Sequence, residues 1–282
     1  MSNLKLINMQ DIEVEAISWL RYPFIPYGKV RIIQGDPGER KATLVLQIIA
    51  RLTKGESIIN ENANPSINVI YQTAEDGLSD TIKPRLLDAN ADCSKVVTID
   101  DSDTPLTMRD ARLEQAIIET NAKLVVLDPI QGFLGADVDM HRANEIRPIM
   151  KHISELAEKY KCAIILIGHM NKCSIGKSAY RGLGSIDFQA AARSVLIVGR
   201  IKDEPEIRVV CQTKSSLAPE AKAVAFRLSE KKGFEWVGEY DVSTDDLLSG
   251  TVKGTKKQAA MDFLESLLSG CRMSQTEIME LA

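Results

Sequence analysis

Residues 30–52 read VRIIQGDPGERKATLVLQIIARL. The first five residues form a short, mainly apolar run, and the GDPG at 35–38 that follows is a turn signal. Apolar residues then recur at helical spacing, at Leu44, Val45, Ile48, Ile49 and Leu52. The stretch therefore predicts a strand, a tight loop and a helix in direct succession.

A loop between a strand and a helix is the setting of a phosphate-binding P-loop, whose motif is Gly, four residues, then Gly, Lys and Ser or Thr. Gly35 and Lys41 match the motif, because helix N-terminal N–H groups receive an anion and the lysine ammonium reaches phosphates. We therefore predict a nucleotide-binding segment made of Gly35, Asp36, Pro37, Gly38, Glu39, Arg40, Lys41, Ala42 and Thr43.

Two positions of the loop depart from this motif. Ala42 has no hydroxyl for Mg²⁺, and Thr43 is one residue further along the helix, so we expect it to point elsewhere. Arg40 stands where the second glycine belongs, and it either clashes with nucleotide or swings out to pair with phosphate or with acidic neighbours. We therefore expect weakened ATP and Mg²⁺ binding, and hydrolysis weakened more than binding.

Three further residues stand at the ends of predicted strands. Asp128 ends the continuous apolar run 124–127, which is typical of a strand buried on both faces of a parallel sheet, and it is predicted to hold Mg²⁺ through water. Glu75 follows the strand 67–71 and is predicted to orient the attacking water, with Asp76 as second choice. His169 follows the strand 163–167 after Gly168, at a position where a γ-phosphate sensor would lie.

Each of these residues also has a structural interpretation. The acidic pair 75–76 suits the first turn of a following helix, which favours negative charge. His169 also reads as a structural histidine at the end of a strand.

The remaining pattern alternates strands with helices, and this favours an α/β sheet with helices on both faces. Further helices are predicted at 111–120 and 143–160. Late strands are predicted at 195–198, 207–211, 223–226 and 234–237, the last of them antiparallel.

The composition shifts at 242–256, which resembles a linker. Capping-box patterns at Thr255/Gln258 and Ser274/Glu277 then predict two short helices. We read them as the start of a helix-turn-helix or winged-helix region that the chain does not finish, or as a simple helical hairpin. The sequence thus divides into an ATPase core, 1–242, and a linker with a short α-helical C-terminal tail, 243–282.

The composition narrows the class of protein. The chain has 282 residues, 44% of them hydrophobic, and a net charge of −4, which excludes disordered and fibrous classes. No apolar run approaches the roughly 20 residues that span a bilayer, and no signal peptide is evident. The five cysteines form no C-x-x-C pair, so we expect reduced thiols, no structural zinc, no membrane and a cytoplasmic location.

Six motifs follow in order: GDPG-x-x-K, TAED, LVVLDP, GHMNK, RGLGSI with AARS, and TKSSLAP. In this order, over about residues 15–240, the chain resembles the RepA-like helicases of plasmids, phages and mobile elements, which are RecA-like hexameric P-loop ATPases. The resemblance implies a RecA-like P-loop NTPase fold, ATP and Mg²⁺ as cofactors, and single-stranded DNA as a partner. It also implies a hexameric ring, whose assembly a truncated tail would lower, and contact with replication proteins.

The resemblance also implies roles for individual residues. It gives phosphate binding to Lys41, the catalytic carboxylate to Glu75, the Mg²⁺ aspartate to Asp128 and the sensor to His169. Arg193 corresponds to an arginine finger that reaches a neighbouring subunit's site, and Lys214 to a lysine approaching the γ-phosphate. The resemblance gives DNA binding to three residues of the loop 171–186: Lys172, Lys177 and Arg181.

Two functions are therefore compatible with the sequence. The first is a DNA-stimulated ring ATPase that acts as a helicase or replication protein of a mobile element. The alternative is a nucleotide- or DNA-binding regulator on the same fold, with little or no hydrolysis because of Arg40 and Ala42. A small-molecule kinase is disfavoured, because no lid or acceptor site is evident.

Overall fold

The computed structural model describes residues 5–58, 65–170 and 186–249, with two isolated helical positions at 264 and 268. The strands are β1 Trp19–Arg21, β2 Ile25–Pro26, β3 Val30–Gly35, β4 Val69–Thr73, β5 Val96–Val97, β6 Leu124–Asp128, β7 Ala163–His169, β8 Ser194–Arg200, β9 Ile207–Ser215, β10 Ala223–Ser229 and β11 Gly233–Tyr240. The α-helices are α1 Lys41–Lys54, α2 Lys83–Asp88, α3 Ala111–Thr120, α4 Ala143–Tyr160, α5 Ile186–Ala191 and α6 Thr244–Ser249.

Nine of the described strands form one sheet in the order β11-β10-β9-β8-β3-β7-β6-β4-β5. The strands from β8 to β5 are parallel. The pairs β8–β9, β9–β10 and β10–β11 are antiparallel. The prediction of a mainly parallel sheet with late antiparallel strands is therefore confirmed. The separate β1–β2 pair, which the sequence did not indicate, is a short antiparallel sheet.

Helices cover both faces of this sheet, as predicted. Ile149 and Ile153 of α4 pack on one face with Val125 of β6. Leu44 and Ile49 of α1 pack on the other face. Full burial of such a side chain contributes roughly 1.5–3 kcal/mol, so the apolar stripes of these helices hold the central strands in place.

One charged residue lies inside this core. Arg31 of β3 is only 1% exposed, and none of its three guanidinium nitrogens has a hydrogen-bond partner among the described residues. Burial lowers the pKa of Arg31 to about 9, because an apolar environment disfavours the charged form. This residue therefore costs the fold free energy rather than stabilising it.

The segment that the sequence predicts to be a linker begins with a short helix. Residues 244–249 form α6 rather than an irregular segment, because the Ser243 hydroxyl accepts the backbone N–H of Asp246 at 3.1 Å and caps the helix. Leu247 is buried and packs against Gly199 of β8. Both predicted capping boxes of the tail lie outside the described residues. No helix in the described part of the chain has the length and apolar character needed to span a membrane.

Candidate active site

The loop between β3 and α1 keeps the shape of a P-loop in spite of its altered sequence. A Cβ on Gly35 would lie 2.3 Å from the carbonyl oxygen of Val198, so only glycine allows β3 and β8 to approach this closely. Gly38 has a φ of +84° and Arg40 a φ of +63°. Arg40 is therefore in the left-handed conformation that the motif normally gives to glycine, and its side chain is exposed.

Lys41 lies at the centre of the site and is only 4% exposed. Its ammonium donates to the carbonyl oxygens of Gly35 at 2.9 Å and Asp36 at 3.0 Å. The same nitrogen lies 3.3 Å from Nδ1 of His169. Burial lowers the pKa of Lys41, and the charge of Asp128 opposes this shift. The neighbouring carboxylates favour the charged form of Lys41, and this buried ammonium can bind the phosphates of a nucleotide.

Asp128 is held by a residue that the sequence did not indicate. The buried hydroxyl of Tyr71 donates to Oδ2 of Asp128 at 2.6 Å. The two residues meet because parallel pairing of β4 and β6 places Tyr71 beside Val126 and Thr73 beside Asp128. Burial raises the pKa of Asp128, and the Tyr71 hydrogen bond counteracts that rise. Tyr71 therefore orients this carboxylate and favours its ionised form.

The two acidic residues after β4 have different environments. Oε2 of Glu75 lies 3.7 Å from Nε2 of His169, whereas Asp76 pairs with Arg85 of α2 at 2.9 Å. The Thr73 hydroxyl accepts the backbone N–H groups of both acids, which fixes the turn. Since Asp76 is engaged by Arg85, Glu75 is the better placed of the two to contact a ligand near His169.

These residues surround one cavity of about 150 Å³. It is lined by Gly38, Arg40, Lys41, Ala42, Thr43, Thr73, Glu75, Asp76, Arg85, Asp128, Ile167 and His169. The sequence indicated that Thr43 faces elsewhere, but it belongs to this lining because the first turn of α1 borders the cavity. The sequence did not indicate that Arg85 and Tyr71 contribute to the site, because neither residue stands at a characteristic position of a motif.

Arg193 and Lys214 do not reach this cavity. In the parallel pairing of β3 with β8, Ser194 lies beside Arg31, four residues and about 13 Å from Gly35. The Lys214 ammonium donates to the last carbonyls of α5, at 2.7 Å to Gln189 and 2.9 Å to Ala190. Both cations therefore lie near the start of β8, whereas Lys41 follows the carboxyl end of β3, which runs parallel to β8.

The lining fits the phosphates of a nucleotide better than it fits a bare metal ion. No group of three or more His, Cys, Asp or Glu side chains in the described ranges could hold a metal. Mg²⁺ at phosphate sites needs only one or two carboxylates and takes its other ligands from phosphate and water. Asp128 can supply one of these ligands, and Ala42 supplies none. The predicted DNA-binding residues Lys172, Lys177 and Arg181 lie outside the described residues.

Comparison with known proteins supports the family and the fold. The AAA domain family model matches residues 3–174. DNA repair protein RadA from Halalkalibacterium halodurans is 27% identical over 148 residues, and that from Bacillus subtilis is 26% identical over 148 residues. Each match covers 51% of this chain and 28% of the relative, so the chain spans under a third of these relatives' length.

A KaiC-like protein from Pyrococcus horikoshii has a similar fold, with a TM-score of 0.54 and 16% identity over 75% of this chain and 90% of that chain. These comparisons do not confirm membership of the narrower RepA-like helicase family. With the P-loop, the sheet order and the matched family model together, the chain belongs to the AAA domain family and has a RecA-like P-loop NTPase fold.

Proposed function

We propose that this chain is a DNA-stimulated ATPase that works as a ring, as a helicase or replication protein of a mobile element. The observation that carries the proposal is the meeting of Lys41, Glu75, Asp128 and His169 at one cavity. The RadA relatives are DNA repair proteins, which supports DNA as the partner.

When bound, ATP with Mg²⁺ supplies the phosphoanhydride bond whose γ-phosphoryl group passes to water. In this proposal Lys41 binds the phosphates through its buried ammonium. Asp128, oriented by Tyr71, holds the metal through water, and Glu75 orients the attacking water and accepts its proton. His169 lies between Lys41 and Glu75, so it can report the state of the phosphates.

The proposal places the DNA-binding and intersubunit residues outside the cleft. His169 leads directly into the loop 171–186, where we place DNA contacts by Lys172, Lys177 and Arg181. Arg193 precedes the start of β8 and lies at the opposite end of the parallel strands from its own Lys41, which suits a residue that completes the site of the next subunit. The Lys214 ammonium is engaged by α5, so its proposed catalytic role requires it to leave those carbonyls.

A nucleotide- or DNA-binding regulator with little hydrolysis is the second candidate. The missing hydroxyl at Ala42 favours it, because Mg²⁺ loses one protein ligand. Arg40 favours it too, since a long side chain stands at the cavity where the motif has glycine.

Phosphate release with and without single-stranded DNA tests the two functions. We expect hydrolysis that DNA stimulates and that Glu75→Gln abolishes. The matched control is the double variant Arg40→Gly/Ala42→Thr, which restores the motif. If the unaltered chain shows no release and the double variant does, the regulator is the correct reading and the motor is refuted.

A mixing experiment tests the ring. Lys41→Ala and Arg193→Ala should each be inactive. Mixing them should restore part of the activity, because some interfaces then combine an intact Lys41 from one chain with an intact Arg193 from the next. The unmixed variants are the controls, and light scattering measures the assembly. A strict monomer with ATP and DNA present would contradict the proposed role of Arg193.

A further inference from the structure

Two arginines face each other beside the P-loop. Arg200 ends β8 and Arg208 stands near the start of β9, and the antiparallel register makes them direct cross-strand partners. Like charges placed directly opposite destabilise a sheet. Glu39 of the P-loop lies near them, with 3.9 Å between its Oε1 and Nη2 of Arg200.

Arg208 is the more buried of the two, with 6% of its surface exposed. Its Nη1 donates to the Pro205 carbonyl at 2.7 Å, but its Nε has no hydrogen-bond partner among the described residues. Burial lowers the pKa of Arg208, as do the nearby charges of Arg200 and Arg40. A buried guanidinium with a free N–H is costly unless an anion satisfies it.

Glu39 does not fully compensate these charges. Its contact with Arg200 is at the outer limit for an ion pair, and its Oε2 has no partner in the described ranges. Among the described residues, the charges that act on Arg208 are those of Arg200 and Arg40 and of one carboxylate, Glu39, so positive charge is in excess here. A phosphate dianion carries the complementary charge, and guanidinium groups bind phosphate through paired hydrogen bonds.

We propose that Arg200 and Arg208, with the charge of Arg40, form a second anion site for the phosphate group of a small phosphorylated ligand. Glu39 occupies this site in competition with the ligand. Arg200 and Arg208 do not belong to the lining of the cavity that contains Lys41, whereas Arg40 borders that cavity as well. This inference goes beyond the proposed function, because it does not require hydrolysis or DNA.

Isothermal titration with inorganic pyrophosphate tests the proposal in the Lys41→Ala chain, which lacks the P-loop ammonium. We expect pyrophosphate still to bind there. Adding Arg200→Gln should weaken binding about tenfold or more, the loss expected for a charge-assisted hydrogen bond. Adding Glu39→Gln should strengthen binding, because the competing carboxylate loses its charge.

Arg142→Gln is the matched control, since Arg142 is an exposed arginine paired with Asp139 and Glu145, and it should leave binding unchanged. A general loss of folding cannot imitate the result, because Arg200→Gln and Glu39→Gln move the affinity in opposite directions. Binding that disappears with Lys41→Ala, or that ignores Arg200→Gln, would overturn the proposal. So would displacement of pyrophosphate by a single-stranded oligonucleotide, which would assign the site to DNA.

Discussion

Replacing Arg40 by glycine should stabilise the protein. Arg40 has a φ of +63°, and a residue with a Cβ pays about 1–2 kcal/mol to adopt this left-handed conformation. Glycine removes that strain but makes the unfolded chain more flexible, which costs about 0.4–1 kcal/mol. The net gain in the free energy of unfolding should be roughly 0.5–1 kcal/mol.

Urea denaturation followed by circular dichroism measures this gain. In a thermal melt, the same gain should raise the melting temperature of Arg40→Gly by roughly 1–2 °C, because the entropy of unfolding is about 2 cal/mol/K for each of the 282 residues. Lys161→Gly is the matched control, because Lys161 is another long basic residue with a positive φ, of 49°, at the end of α4. It should also give a gain away from the cleft, somewhat smaller because the exposed ion pair between Lys161 and Glu15, at 2.7 Å, is lost.

The reasoning would be refuted if Arg40→Gly lowered stability while Lys161→Gly raised it. That outcome would mean that the Arg40 side chain makes contacts worth more than the strain in its backbone. Gains at both positions would show that the left-handed backbone is the main cause of the effect.

Four further results are expected. Gly35→Ala should lower the free energy of unfolding by more than about 2 kcal/mol, because its Cβ would collide with backbone on β8, whereas Gly38→Ala, with open space around it, should cost only its strained φ, about 1 kcal/mol. Arg31→Met should raise the free energy of unfolding by about 1–4 kcal/mol in urea melts, since it removes a buried charge that has no hydrogen-bond partner in the described part of the chain. Asp128→Asn should stabilise the protein near neutral pH but not below the ordinary aspartate pKa. The pKa of Asp128 is raised in the folded protein, so its ionised form is unfavourable there at any pH above the ordinary aspartate pKa. Melts at several pH values should show the gain in stability, and phosphate-release assays should show the loss of activity. Tyr71→Phe should move the acidic limb of Mg²⁺-dependent phosphate release to higher pH. The Tyr71 hydrogen bond lowers the pKa of Asp128, so its loss raises that pKa. An unmoved profile would contradict the positioning role of Tyr71.

The sequence predicted the sheet and its main helices well, because buried parallel strands are continuous apolar runs and α4 has strong helical spacing. It missed β1 and β2, which have three and two residues and are too short to show a period. The helix α6 could have been found, since Ser243 followed three residues later by Asp246 is a helix-start pattern.

The cleft was only partly predictable. Lys41 and Asp128 belong to local sequence motifs that indicate their chemical roles. Tyr71 and Arg85 do not, because their roles depend on which strand lies beside β4 and on where α2 packs. The facing of Arg200 and Arg208 likewise depends on the register of two antiparallel strands, which a single sequence does not reveal.

The position of β3 has a consequence for how the chain can be divided. The matched family region ends at residue 174, before β8, yet β3 hydrogen-bonds to β8 along one whole side. A fragment cut at residue 174 would leave that side of a fully buried strand open to solvent, and such an edge is a template for aggregation. Strand β8, which pairs in parallel with β3, therefore protects the nucleotide-binding half from self-association, and a fragment that resists aggregation should extend through at least β8.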